Sequence, residues 1–266
     1  MTTPQTPRAL ALAKLAQSGL AAADLGAFGL SVLDRAGPPA LSPAFQPLAA
    51  LRLDYYSPSG KRTDFYRLRY LEVANGFDLL TKKAPRYVQP PGTTAEVYWP
   101  RNRDWPRIAG DASVGVHLTE GELKACCATK FGFPALAVGG VWAWRSAKRG
   151  VGLAPSLTPA GFEWRERPVY IVFDSDVGVK PDVAAARLAL CEALVTLGAL
   201  PSLVELPPVD GLKGKTGLDD FLVARGRDAY LEAVIAARPF ASARALWRLS
   251  EEVIYVRDPG LIVVAA

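Results

Sequence analysis

The chain has 266 residues, half of them apolar, and its 31 Lys and Arg against 26 Asp and Glu give a formal net charge of +5. This length and composition exclude a disordered chain and predict one large domain or two small ones, each with a hydrophobic core. The charge is mildly basic, which is compatible with nucleic-acid binding but does not by itself indicate it. One histidine, and three cysteines without a CxxC pair, exclude a zinc ribbon and a histidine-based catalytic triad.

Residues 1–47 are predicted to form N-terminal helices followed by a proline-rich connector. The apolar run near the start is interrupted by Lys14 and Gln17, so we expect no signal peptide, and no apolar stretch reaches membrane-spanning length. The cysteines are expected to be reduced, buried thiols. We therefore expect a cytoplasmic protein without a membrane partner.

Residues 48–112 are predicted to form a small mixed α+β subdomain. Strand-like runs at 51–56 and 64–72 flank a Ser-Pro-Ser-Gly-Lys turn, which predicts a β-hairpin. Basic and aromatic residues are interleaved along it, a mixture that suits single-stranded nucleic acid; an ordinary antiparallel sheet with solvated cations is the alternative. The candidate nucleic-acid contacts in this region are Arg62, Arg67, Lys82, Lys83 and Arg86.

Strand and helix patterns alternate through residues 113–240. Strands are predicted near 114–118, 134–138, 169–173 and 202–206, and helices over 121–132 and 182–198. This βαβ order predicts a parallel sheet with right-handed crossovers, so the predicted fold class is α/β. The single histidine, His117, lies inside an apolar strand, where a packed core residue is more common than a catalytic one.

Three carboxylates follow predicted strands in this region. Asp174 and Asp176 come directly after the apolar run 169–173, and Glu120 ends the strand upstream. The carboxyl ends of parallel strands form the ligand-binding edge of an open α/β sheet, and side chains two residues apart can point the same way. The pattern predicts a Mg²⁺-type site of three carboxylates, with an Asp-rich turn as the alternative.

A second acidic pair, Asp219 and Asp220, opens an amphipathic helix after a loop of lysine and glycine. Aspartate near a helix N-terminus commonly caps the helix, so we expect one of the two to be a cap; the alternative is a further ligand at the metal site. Lys124, Lys213 and Lys215 are candidates for contact with nucleotide or nucleic acid.

The acidic motifs in combination resemble the Toprim domain, which DnaG-type primases, topoisomerases and some nucleases share. These motifs are Glu120-Gly121, Asp174-Ser175-Asp176 and Asp219-Asp220. The order of motifs resembles that of primases over about residues 50–240. The combination of three acidic motifs is specific, whereas each motif alone is not.

Further segments carry the resemblance to primases. Residues 51–70 resemble the hairpin that precedes Toprim, 84–88 with 97–98 resemble the primase PKYLN…LY stretch, and 217–222 with Gly226 resemble the DPDDLV…G stretch. Segments 120–125 and 139–141 are similar to the Toprim-bearing domain of phage and plasmid primase–helicase proteins.

The resemblance implies a Toprim fold over 113–240, a Rossmann-like parallel sheet with helices on both faces, preceded by a primase-core-like subdomain. Residues 241–266 would then be a C-terminal extension, one interpretation of which is a truncated link to a helicase. The implied activity is that of a DNA primase catalytic core, synthesising short primers on single-stranded DNA for phage or plasmid replication. The implied partners are a single-stranded DNA template, nucleoside triphosphates and a replicative helicase, fused or separate.

The same resemblance implies the roles of the acids in metal-dependent nucleotidyl transfer. Asp174 and Asp176 would hold Mg²⁺ or Mn²⁺, and Glu120 would complete the metal site or act as general base on the attacking 3′-hydroxyl. Two positions depart from the family's pattern. Gly217 replaces the first aspartate of the DPD motif, and Lys124 stands where many DnaG-type enzymes have an acid.

Two other functions remain open at this point. A Toprim nuclease or topoisomerase-like module is disfavoured, because neither a GxxxxGK[ST] ATPase motif nor a strand-passage domain with a tyrosine is recognised. A non-catalytic Toprim module would only guide single strands into a helicase. The intact acids argue against this last function, and Gly217 argues for it.

Overall fold

The computed structural model describes residues 5–37, 41, 45–74, 84–146, 152–175, 180–211 and 215–241, together with the backbone of 254–258 and 261–264. Four residues of the predicted site lie outside the described residues: Lys82, Lys83, Asp176 and Lys213.

The first part of the chain forms two short helices and an antiparallel sheet. The helices are α1 (Pro7–Gln17) and α2 (Asp24–Phe28), and the strands are β1 (Leu30–Leu33), β2 (Ala50–Tyr56), β3 (Arg62–Tyr70) and β4 (Tyr87–Val88), in the order β1-β2-β3-β4. The predicted hairpin is confirmed, because β2 and β3 are antiparallel neighbours with Leu53 opposite Arg67. Gly60 has a φ of +80°, the left-handed conformation that lets the hairpin turn.

The second sheet has six strands, and its four central strands are parallel. Its strands are β5 (Val97–Tyr98), β6 (Val116–Glu120), β7 (Ala135–Val138), β8 (Pro168–Val172), β9 (Leu200–Leu203) and β10 (Arg238–Pro239), in the order β10-β9-β8-β6-β7-β5. The edge strands β5 and β10 are antiparallel to their neighbours. The strand predicted at 202–206 corresponds to β9, which begins and ends earlier in the chain. β9 pairs with β8 from Leu200, opposite Pro168, to Leu203, opposite Ile171.

Helices cover both faces of this second sheet, as predicted. They are α3 (Trp105–Gly110), α4 (Glu122–Lys130), α5 (Pro181–Thr196) and α6 (Leu218–Ile235). Leu123 of α4 and Phe221 of α6 belong to one buried cluster, whereas Trp105 of α3 and Leu190 of α5 belong to another. The α/β fold with a parallel sheet between two helical layers is therefore confirmed. A last pair of strands, β11 (Ile254–Asp258) and β12 (Leu261–Val264), forms an antiparallel hairpin.

The core lies between the parallel sheet and these helices, and it includes the single histidine. His117 in β6 is 4% exposed and stacks on Tyr170. Its Nδ1 atom lies 2.8 Å from the hydroxyl oxygen of Tyr230. The prediction of a packed core histidine is confirmed. All three cysteines, which lie within the described residues, are buried and form no disulfide.

The two sheets share one hydrophobic core. Leu51 and Phe65 of the first sheet belong to the same buried cluster as Leu123 and Cys126 of α4. The hydroxyl of Tyr98 in β5 donates to the carbonyl oxygen of Phe28, 3.0 Å away. In the part of the chain that the structure describes, no helix combines the length and apolar character needed to cross a bilayer.

Candidate active site at the carboxyl edge of the parallel sheet

Two of the three acids predicted from strand ends lie at one edge of the parallel sheet. Glu120 is the last residue of β6, and Asp174 follows β8 by two residues. Gly121 has a φ of +100°, a conformation that favours glycine, and this lets the chain turn directly from β6 into α4. Both acids line a cavity of about 520 Å³ together with the start of α6. The shared edge, predicted from the sequence, is therefore observed.

The cavity is lined by charged side chains of both signs. Its carboxylates are Glu120, Glu122, Asp174, Asp219 and Asp220. Its cations are Lys14, Arg67, Arg69, Arg86, Lys124 and Lys215. Cations and carboxylates are thus concentrated in one cleft. The arrangement suits a ligand with several phosphates, which the cations would bind. The carboxylates would hold a metal ion or accept a proton.

Asp174 is held by two lysines. Its side chain is 2% exposed, and the ammonium group of Lys124 donates to Oδ1 while that of Lys215 forms an ion pair with Oδ2. Burial alone would raise the pKa of Asp174, but the two ammonium groups hold it below its usual range. Asp174 is therefore an anion that the protein already neutralises.

The loop that carries Lys215 is tied to the end of β8. The backbone N–H of Ser175 donates to the carbonyl oxygen of Thr216 at 3.0 Å, and the N–H of Thr216 donates to the hydroxyl of Ser175 at 2.8 Å. These two bonds bring the residues before α6 beside Asp174, although they are about 40 residues apart in the sequence.

The two acids at the start of α6 have separate partners. Asp220 accepts the backbone N–H of Gly217 at 2.9 Å through Oδ2, which confirms the prediction that one of the pair caps the helix. Asp219 is 8% exposed and accepts the hydroxyl of Ser18 through Oδ2 at 2.6 Å. Each carboxylate has one oxygen engaged within the protein. Their role as metal ligands stays a prediction.

Glu122 is a buried acid of the site that the sequence did not single out. Its Oε1 accepts from Nη1 of Arg67 at 2.6 Å and from the hydroxyl of Tyr55 at 2.7 Å, and Oε2 has no hydrogen-bond partner among the described residues. Burial would lower the pKa of Arg67, but the Glu122 carboxylate raises it above its usual range. Glu122 and Cys126 are four residues apart and so lie on the same face of the helix. Because Cys126 was expected to be buried, this spacing could have indicated that Glu122 faces the core.

The structure separates the predicted nucleic-acid contacts. Arg67 is committed to Glu122, and Arg62 lies on the exposed hairpin, paired with Asp54 at 2.8 Å and away from the cavity lining. Arg86 is exposed and lines the cavity, as do Lys124 and Lys215. The nucleic-acid role of all these residues stays a prediction, and so does that of Lys82, Lys83 and Lys213, which lie outside the described residues.

Two cations of the cavity were missed from the sequence. Lys14 of α1 and Arg69 of β3 line it beside Arg86. Burial lowers the pKa of Lys14, and the charges of Arg69 and Arg86 lower it further, so the three positive groups lie close together. Nothing in the local pattern indicates that α1 reaches the site, although Arg69 belongs to the basic and aromatic hairpin.

Comparison with solved structures gives the same architecture. The zinc-binding and RNA polymerase domains of the Aquifex aeolicus primase match with a TM-score of 0.57 at 14% identity, over 86% of this chain and 56% of that one. The fold is that of a DnaG primase catalytic core. A DnaG primase catalytic domain bound to single-stranded DNA matches with a TM-score of 0.55 at 17% identity, over 88% of this chain and 74% of that one.

A third structure belongs to the same group. It is the RNA polymerase domain of the Mycobacterium tuberculosis primase DnaG in complex with double-stranded DNA, with a TM-score of 0.57, 15% identity, and coverage of 88% of this chain and 75% of that one. At such identities the likeness concerns the fold. This chain covers 56% of the solved Aquifex aeolicus chain.

The sequence comparisons are less specific. Residues 105–229 match a family model described as a domain of unknown function, DUF3854. No curated protein matches this chain. The similarity to phage and plasmid primase–helicase proteins therefore stays a prediction.

Two carboxylates of the site have the chemistry of magnesium ligands. Among the described residues no three His, Cys, Asp or Glu side chains converge as a metal-binding group. Mg²⁺, however, is usually bound by one or two carboxylates together with water and substrate phosphates. Glu120 and Asp174, which line the same cavity, provide two such carboxylates. Asp176, the third predicted ligand, lies outside the described residues.

Proposed function

We propose that this chain is a primase-type nucleotidyltransferase core that synthesises short primers on single-stranded DNA. The observation that carries the proposal is the cavity at the carboxyl edge of the parallel sheet, where Glu120 and Asp174 lie among cations of five different segments. The likeness of the fold to DnaG primase catalytic cores, one of them bound to single-stranded DNA, supports it.

In this proposal the reaction is an attack of a primer 3′-hydroxyl on the α-phosphorus of a nucleoside triphosphate. The new bond joins the hydroxyl oxygen to phosphorus, the bond to the β-phosphate oxygen breaks, and pyrophosphate leaves. Glu120 would take the hydroxyl proton as general base, or would be a ligand of the divalent ion. Arg86, Arg69 and Lys14 bind the triphosphate or the template and neutralise charge that develops on the phosphates.

Mg²⁺ or Mn²⁺ is the expected cofactor of this activity. Glu120 and Asp174 would hold it, with Asp176 as a further ligand, and its chemistry would be to stabilise negative charge on the transferred phosphoryl group. For the ion to reach Asp174, one of the ammonium groups of Lys124 and Lys215 must move aside.

The proposed partners follow from the reaction. They are a single-stranded DNA template, nucleoside triphosphates and a replicative helicase, fused or separate. A role in the replication of a phage or plasmid would place the chain in the cytoplasm.

A primer-synthesis assay tests the proposal, with a single-stranded template, labelled nucleotides and Mg²⁺ or Mn²⁺. We expect short labelled products from the unmodified chain and a strong loss with Glu120→Gln, because Glu120 is the proposed general base or metal ligand. Glu232→Gln is the matched control, since Glu232 is exposed on α6 and does not line the cavity. Equal activity of both variants, or no product from the unmodified chain, contradicts the proposal.

A second function is favoured by one observation. The lysines at Asp174 already satisfy the charge that a metal ion would neutralise, as expected for a non-catalytic Toprim module that guides single strands into a helicase. The same assay separates the two, because this function predicts binding of the template without synthesis. Degradation of the template would instead indicate a nuclease.

A further inference from the structure

Lys124 reaches Asp174 from the first turn of α4. Its side chain is 18% exposed, against 49% for Lys215, which pairs with the other oxygen of the same carboxylate from a loop. Loops are more mobile than the helices they connect, so a lysine on a helix, largely withdrawn from water, is held more firmly than a half-exposed lysine on a loop. Lys124 is therefore the more permanent of the two cations at Asp174.

The space for Lys124 is provided by Gly217. The backbone of Gly217 has a φ of −88° and a ψ of 167°, a conformation that any residue adopts, so glycine is not required there for flexibility. A Cβ atom at this position would lie 2.8 Å from Cε of Lys124, so the flexible end of the lysine side chain would have to shift. The same Cβ would lie 3.0 Å from Oδ1 of Asp219. The missing side chain of Gly217 thus leaves the path along which the stem of Lys124 passes.

We propose that the ammonium group of Lys124 is a permanent cation at Asp174 and takes the place of one divalent ion. Gly217, which has no side chain, leaves room for the lysine stem. Two ammonium groups already face this carboxylate, so a divalent ion arriving there would meet like charge at short range. The site then takes at most one exchangeable divalent ion, and the ammonium group of Lys124 presents the second positive charge to the phosphates of a nucleotide.

The role of Lys124 toward a nucleotide rests on the proposed function, but its effect on metal binding does not. Binding of Mn²⁺ alone, without nucleotide or DNA, is measured by isothermal titration calorimetry and by electron paramagnetic resonance. We expect at most one Mn²⁺ per unmodified chain. We expect Lys124→Met to raise the Mn²⁺ affinity about tenfold or more, or to add a second ion, because a like charge in contact with the site is removed.

Matched variants locate the effect. Lys61→Met removes the same charge from the exposed hairpin turn and should leave Mn²⁺ binding unchanged. Adding Asp174→Asn to Lys124→Met should abolish the gain in Mn²⁺ binding, because Asp174 is the ligand that becomes available when Lys124 is removed. A gain that persists without Asp174 places the ion elsewhere and overturns the proposal.

A second variant covers the case in which Lys124→Met does not fold, which thermal unfolding would show. Gly217→Ala keeps every charge but places a methyl group on the path of the lysine stem, and we expect it to raise Mn²⁺ affinity in the same direction. Two Mn²⁺ ions bound to the unmodified chain, or unchanged affinity in the folded variants, overturns the proposal. Primer synthesis is not measured in this experiment. The Mn²⁺-binding result therefore holds even if the chain does not synthesise primers.

Discussion

Arg67 and Glu122 form a buried ion pair, 2.6 Å from Nη1 to Oε1, that joins strand β3 of the antiparallel sheet to the first residue of α4. The same nitrogen donates to the carbonyl oxygen of Gly139 at 3.1 Å, and a Cβ on Gly139 would lie 2.5 Å from it. Glu122 is two residues from Glu120. The first sheet therefore positions the start of α4, and with it the proposed catalytic glutamate.

The first prediction concerns this ion pair. Arg67→Met should lower the free energy of unfolding by about 3–5 kcal/mol, because it leaves the buried Glu122 carboxylate without its charge partner. Urea unfolding followed by circular dichroism measures the change. Adding Glu122→Gln to Arg67→Met should recover part of the loss.

The control for the ion pair is Arg62→Met on the same strand. Arg62 is 52% exposed at the side chain and pairs with Asp54 on the surface, so its removal should cost about 0–1 kcal/mol. Similar losses for both arginines would show that the Arg67–Glu122 pair has no special structural role.

The second prediction separates the two roles of Glu120. As a general base, Glu120→Gln should keep metal and nucleotide binding near normal and lower the rate of primer synthesis by ~10²–10⁴-fold. As a metal ligand, the same change should raise the metal requirement, and additional Mn²⁺ should restore part of the activity. A Mn²⁺ titration of primer synthesis by the variant distinguishes them. Full activity at ordinary metal concentrations contradicts both roles.

The third prediction concerns three cations that line the cavity. Replacing Lys14, Arg69 and Arg86 by glutamine should weaken binding of single-stranded DNA and reduce the slope of log K against log salt by about 2, since each phosphate contact on a single strand contributes about 0.7. Fluorescence anisotropy at several salt concentrations measures the slope.

A triple variant of equal charge controls for net charge in this experiment. Arg8, Arg107 and Arg165 are exposed and do not line the cavity, so replacing them by glutamine should change the slope little. Equal slopes for the two triple variants would place the DNA elsewhere on the protein.

The fourth prediction concerns the contact between α1 and α6. Ser18→Ala should lower the free energy of unfolding by about 1–3 kcal/mol, because the largely buried Asp219 carboxylate loses the hydroxyl that donates to it. Ser31→Ala, at an exposed position of β1, is the matched control and should be close to neutral. Chemical denaturation of both variants gives the comparison, and no difference between them would contradict the prediction.

The fifth prediction concerns pH. Burial lowers the pKa of His117 to about 3, below its usual value of 6.5, so between these values the unfolded chain binds a proton that the folded chain does not. The free energy of unfolding should therefore rise with pH across this window. Lowering the pH from 7 to 5 should reduce it by about 2 kcal/mol through His117. The double variant His117→Phe and Tyr230→Phe should lose this part of the pH dependence. Urea unfolding at several pH values tests it, and an unchanged pH profile in the variant would attribute the effect to other groups.

The sequence by itself determined the parallel sheet, the strand ends that carry Glu120 and Asp174, and the acid cap of α6. These features depend on local periodicity and on residues three or four positions apart, so a single stretch of sequence contains the whole signal. The hairpin was determined in the same way, by two strand patterns and the turn between them.

Only the tertiary structure decided which charges meet. Lys124 and Asp174 are separated by 50 residues, Arg67 and Glu122 by 55, and Ser18 and Asp219 by 201. No periodic pattern connects such positions, because an ion pair depends on where the folded backbone brings two side chains and on how little water remains around them. For this reason the sequence predicted Lys124, Lys215 and Arg67 as contacts for nucleotide or nucleic acid, whereas the fold placed the two lysines beside Asp174 and the arginine beside Glu122.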